Sequence, residues 1–147
     1  MLITAIVAAV VVLTPSPEPE AVAYANVSRN YRVCMLSTTT DAVQADRLWP
    51  AVQAATTRTP INAERVTAPT GTSDQLTPYL NSLIAQHCRL IVAPGPDLAA
   101  PAATAAQAHP DQHFLTSAQP TAANVSTIPA RPADLTTAIV TAARTSN

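Results

Sequence analysis

The run Leu90-Ile91-Val92-Ala93, followed by Pro94-Gly95-Pro96-Asp97, narrows the fold more than any other stretch. Four apolar residues without polar alternation suit a strand covered on both faces, as in a parallel sheet. The Pro-Gly-Pro behind it stops the strand and turns the chain. A second run, Val33-Cys34-Met35-Leu36, runs out into the hydroxyl-rich Ser37-Thr38-Thr39-Thr40-Asp41. Two such strands, each leaving through a loop into a helical pattern, specify βαβ units. The chain is therefore read as an α/β fold with a doubly wound, mostly parallel sheet.

Taken in order, strands are expected at 31–36, 61–68, 90–93, 113–117 and 124–128, five in all. The first helix is expected to begin near Asp46 as its cap, with Pro50 in the first turn and Leu48, Val52 and Ala55 on the buried stripe. A second helix, capped by Ser73 or Asp74, carries Leu76, Tyr79, Leu80, Leu83 and Ile84 on one face. Residues 98–108 are Ala-rich, a helix able to approach a sheet closely, and 132–143 form the last helix. The order β-α-β-α-β-α-β-β-α with right-handed crossovers gives a single doubly wound lobe over 24–147.

Residues 1–13 are almost wholly apolar, fewer than the roughly 20 that span a bilayer, and Thr14-Pro15-Ser16-Pro17 breaks the run. Residues 1–23 are expected to be a signal peptide, with Ala21-Val22-Ala23 as the small-x-small cleavage pattern before Tyr24, or else an N-terminal signal anchor. An extracytoplasmic location follows: secreted, at the cell surface, or anchored if the segment is retained. In an oxidising compartment the two cysteines allow one intramolecular bridge, Cys34 to Cys88, set against two unpaired buried thiols. No CxxC or His spacing supports a metal site.

Only two glycines, Gly71 and Gly95, occur in 147 residues, which excludes the Gly-rich cradles of dinucleotide and P-loop sites. The formal net charge is -1 and all eight basic residues are Arg, scattered along the chain, so no nucleic-acid footprint is present. In open α/β sheets, ligands bind beyond the carboxyl ends of the strands. That edge comprises residues 37–41, 68–70 and 93–97 with Ser117. It offers hydroxyls and two carboxylates but no Cys or His, hence no nucleophile with a neighbouring base. Asp41 and Asp46 read as an acidic pair or, separately, as a loop carboxylate and a helix cap. His109 and His113 bracket a loop, and neither GxSxG nor HExxH occurs. No enzyme, metal or cofactor is expected.

Three segments resemble a known family. Val33-Cys34-Met35-Leu36 followed by Asp46-Arg47-Leu48-Trp49-Pro50 is similar to the opening of the basic membrane protein family of ABC-transporter solute-binding proteins, nucleoside binders among them. Leu80 through Gly95, with Gln86-His87-Cys88-Arg89-Leu90-Ile91-Val92, resembles its Leu-x-x-Leu-x-x-Gln-Gly-Cys-Asp-Leu-Ile-Val-x-x-Gly segment, and Ala108-His109-Pro110 to Phe114 its entry into strand four. The resemblance covers the N-terminal lobe of that family. It implies one lobe of a type I periplasmic-binding fold, with a nucleoside-like small molecule held by Thr38, Asp41, Trp49 and Gly95. Trp49 would stack on the base, although it reads equally as a helix-face packing residue. His87 stands where the family has Gly, Pro50 where it has Asn, and Thr38 where it has the strand-end Asp. A membrane transporter or a second-lobe partner is implied to complete the cleft. The other expectation is a non-catalytic interaction module that kept the fold and lost the ligand.

Overall fold

The computed structural model describes residues 30–146; the expected signal segment and its cleavage site lie outside them. Five strands form one parallel sheet in the order β2-β1-β3-β4-β5: β1 Tyr31–Thr38, β2 Ile61–Ala68, β3 Leu90–Ala93, β4 His113–Thr116 and β5 Val125–Thr127. The helices are α1 Ala42–Thr56, α2 Ser73–Ala85, α3 Ala99–Ala108 and α4 Pro132–Thr145, with a single 3-10 turn at Pro96–Leu98. This is the doubly wound lobe expected from the strand and loop patterns.

Period-2 alternation in the strands divides the core into two layers. Val33 and Met35 of β1, Leu90 and Val92 of β3, and Leu115 of β4 face α1 and α4, where Leu48, Val52, Leu135 and Ile139 meet them. Cys34 and Leu36, Ile91 and Ala93, and Phe114 face α2 and α3, against Leu76, Leu80, Leu83, Ala102 and Ala106. The Ala-rich face of α3 lets it lie close to the sheet. The Cys34–Cys88 disulfide forms in this second layer, with Cα atoms 5.8 Å apart. Cys34 lies in β1 and Cys88 two residues before β3, its sheet neighbour.

Several boundaries differ from expectation for identifiable reasons. Helix α1 begins four residues before Asp46, with Asp41 at its N-cap position. Asp46 therefore lies in the second turn and pairs with Arg65 of β2 at 2.7 Å, so it makes neither a cap nor a pair with Asp41. Pro50 falls at the middle of α1. It removes one helical hydrogen bond, and the buried stripe Ala45, Leu48, Ala51, Val52 and Ala55 carries the helix past it. Pro78 is similarly inside α2. That helix is capped one residue earlier than expected, at Thr72, whose N–H donates to Gln75 Oε1 at 2.9 Å. Tyr79 lies at the exposed margin of α2 and not on its buried face.

The turn between α2 and β3 ends the helix by a Schellman arrangement. Cys88 N–H donates to Leu83 O at 3.1 Å and His87 N–H to Ile84 O at 2.9 Å. His87 has φ +62°, in the left-handed region where glycine is usual. This is the position at which the resembling family carries Gly.

Candidate functional site

The site is built where β1, β3 and β4 deliver their carboxyl ends to the start of α1. Thr38, the buried last residue of β1, donates its hydroxyl to Asp41 Oδ2 at 2.9 Å, and Asp41 N–H donates to Thr38 O at 3.2 Å. Three residues of loop thus fold back so that the carboxylate sits over the sheet edge at the N-terminus of α1, where the helix dipole favours a negative group. Asp41 is 9% exposed.

Gly95 explains how so short a loop fits. Its φ is +99°, and a Cβ added there would fall onto the carboxylate of Asp41. One of the chain's two glycines therefore serves two needs at once, a left-handed backbone and room for a neighbouring side chain. The Gly95 N–H donates to Ser117 Oγ at 3.0 Å, and Gln44 Nε2 of α1 donates to the same oxygen at 3.1 Å. The Ser117 hydroxyl so ties the ends of β3 and β4 to the first turn of α1. Across β1, the Thr39 and Thr40 hydroxyls meet that of Thr70 at 2.9 and 2.5 Å, bracing the loop after β2.

Beside this framework lies an open cavity of about 500 Å³, lined among others by Thr40, Asp41, Gln44, Arg47, Ser117 and Ile128. The volume is within the range of small-molecule sites, roughly 300–1,000 Å³. Its polar groups are an acid, a guanidinium, an amide and two hydroxyls, suited to hydrogen-bonding a polar ligand. No Cys, His or Lys lines it.

Of the four residues expected at the ligand, Asp41 lines the cavity, while Thr38 and Gly95 hold Asp41 in place. Trp49 is not brought there. It packs half-buried against the α1/α4 core layer, on the packing alternative given above. Gln44 and Arg47 were not foreseen, because the loop was expected to continue through residue 45 and the helix to start only at the Asp46 cap. With the helix begun at 42, Gln44 and Arg47, three apart, share one helical face, and that spacing was the available signal.

No family model matches the sequence, and no curated protein matches it either. The resemblance to the basic membrane protein family accordingly rests on the segments quoted above. Solved structures similar in fold include the following two. A candidate lipoprotein (fragment) from Peptoclostridium difficile 630 superposes with a TM-score of 0.67 at 19% identity, over 76% of this chain and 97% of that one. A transcriptional activator of the comK gene from Bacillus halodurans superposes with a TM-score of 0.50 at 15% identity, over 58% of this chain and 29% of that one. The present chain thus matches under a third of the second protein. At these identities what is shared is the doubly wound α/β architecture.

Proposed function

We propose that this protein is an extracytoplasmic, non-enzymatic lobe of the solute-binding type, whose carboxyl sheet edge takes a nucleoside-like polar molecule beneath a second polypeptide. The observation that carries the reading is the Asp41 carboxylate, fixed by Thr38 and seated on Gly95 at the mouth of the edge cavity. A carboxylate held this way suits the hydroxyls of a sugar. The disulfide supports an oxidising compartment, and the fold neighbour named as a candidate lipoprotein supports the same location. The non-enzymatic part rests on the chemistry of the lining, which pairs no nucleophile with a base.

A lone lobe binds weakly. Tight sites bury about 70–90% of a ligand's surface, and this cavity is open on the side a second lobe or transporter would cover. Each hydrogen bond to Asp41 or Thr40 contributes about 0.5–1.5 kcal/mol net, whereas micromolar affinity needs about 8 kcal/mol. A nucleoside titration followed by amide chemical shifts tests this directly. The expected result is saturable shifts confined to residues 40–48 and 117, at about millimolar ligand or weaker, and lost in Asp41→Ala. An unchanged spectrum up to the solubility limit would overturn the ligand reading.

One observation favours the interaction module instead. Val43, 74% exposed, stands at the rim of the same cavity together with Ile128 and Pro129, while the expected aromatic platform is packed elsewhere. On that reading the edge is a protein-docking surface, and the titration is flat.

A further inference from the structure

The register of β1 on β2 sets Cys34 directly beside Glu64. Among the described residues, one group of ligand-type side chains is close enough to share an ion. The sulfurs of Cys34 and Cys88 and a carboxylate oxygen of Glu64 all lie within 4.8 Å of one another. The two cysteines are 0% and 1% exposed, and Glu64 is half-buried on the edge strand. Its carboxylate takes no part in the two salt bridges among the described residues, Asp46–Arg65 and Arg131–Asp134, and is left to solvent. The carboxylate keeps solvent access on the edge strand, so what marks the trio is geometric: one oxygen and two sulfur donors within reach of a single ion.

We propose that in its dithiol form the protein binds zinc, or a comparable thiolate-seeking divalent cation, through Cys34, Cys88 and Glu64. The site and the disulfide are mutually exclusive states of the same pair. A dithiol reductant gives two electrons and two protons to the Cys34–Cys88 bond, becoming a disulfide itself and leaving two thiols. Binding of the cation then displaces the two thiol protons, and the sulfurs coordinate as thiolates. Zinc accepts two thiolates and a carboxylate oxygen in a tetrahedral set, with water at the fourth position. Two thiolates on one tetrahedral zinc stand about 3.8 Å apart, a spacing that side chains on Cα atoms 5.8 Å apart reach by rotation, without moving the strands. A second cavity, of about 370 Å³, is lined by Cys88 together with His87, Arg89 and the 109–112 loop, and Glu64 opens the trio to solvent on the edge strand. Sequence spacing could not reveal this trio, because Glu64 joins the cysteines only through the strand pairing.

Cobalt(II) is the probe, added without oxygen to the exported protein after reduction by an immobilised phosphine that is then removed. One equivalent is expected to bind with a thiolate-to-cobalt charge-transfer band that zinc abolishes and that the oxidised protein never develops. Glu64→Gln, which leaves both cysteines in place, should weaken cobalt binding by roughly tenfold or more. A folded, reduced protein without the band overturns the proposal, as does equal affinity in Glu64→Gln. If the reduced protein is unfolded without metal, cobalt or zinc must restore its circular dichroism, and failure to do so overturns it equally.

Discussion

The two ends of β3 solve the same backbone problem in opposite ways. Each is flanked by a residue with positive φ, His87 before the strand at +62° and Gly95 after it at +99°. At the amino end the side chain is tolerated, because His87 is exposed at the rim of a cavity, and the turn is held by the Schellman bonds and the disulfide one residue on. At the carboxyl end no side chain is tolerated, because the space a Cβ needs is filled by Asp41. Where a covalent link fixes the turn and the space outside is open, a side chain is accommodated at the cost of backbone strain. Where a neighbouring functional group fixes it, identity is constrained.

The largest expected effect breaks the amino end. The Cys34–Cys88 bridge spans 54 positions, and closing a loop of that size stabilises the fold by roughly 4 kcal/mol in the chain-entropy model. Reduction should lower the midpoint of denaturant unfolding accordingly, and intact mass after thiol blocking should find one disulfide in the native protein. Two alkylated thiols without reduction would remove the covalent half of the comparison.

Next in size is Gly95→Ala at the other end. Positive φ for an L residue costs about 1–2 kcal/mol, and here the collision with Asp41 adds to it, so a loss of about 2–3 kcal/mol is expected. In an Asp41→Ala background the same change should cost only the backbone part. Equal costs in the two backgrounds, measured by urea unfolding, would mean that Asp41 does not set the identity at 95.

How much of this could be read in the sequence follows the same division. The apolar runs at 33–36 and 90–93 located β1 and β3, and with them the layers, since a strand buried on both faces needs helices on both sides. The cysteine pairing followed from a count of two and from adjacency of those strands. The site was legible only in part. Thr38, Asp41 and Gly95 were found because the edge rule needs only strand ends. Trp49 came to the edge through the family resemblance alone, beside an equal packing alternative, and it packs half-buried against the α1/α4 layer. Asp46 resembled a cap, so the helix start was displaced by four residues, which put Val43, Gln44 and Ala45 in a loop and hid their place in the first turn. Gln44 was thereby read as loop and Arg47 as the first residue of the helix, so neither was placed at the edge.

A smaller effect is expected from Ser117→Ala. The hydroxyl accepts from Gly95 N–H at 3.0 Å and from Gln44 at 3.1 Å. Its loss leaves a half-buried N–H to find water, at about 1 kcal/mol. Amide hydrogen exchange at Gly95 should rise while that of His87 stays unchanged. Exchange rising at both ends together would mean that β3 transmits the change along its length and that the two ends are not independent.

The smallest effect has the opposite sign. His87→Gly relieves the left-handed penalty of about 1–2 kcal/mol, but glycine in the unfolded chain is freer than histidine and returns part of that gain, about 0.4–1 kcal/mol. A net stabilisation of about 0.5–1 kcal/mol is expected. The disulfide sharpens this test, since it restrains the unfolded chain at the very next residue. With Cys34–Cys88 closed, the added freedom of glycine is curtailed and the gain should be larger; after reduction it should shrink. Paired melts of His87→Gly and wild type, each oxidised and reduced, measure the difference. A gain that is the same in both redox states would place the strain at His87 wholly in the folded turn. A destabilisation in both states would mean that the histidine ring itself makes a contact worth more than the backbone strain it imposes.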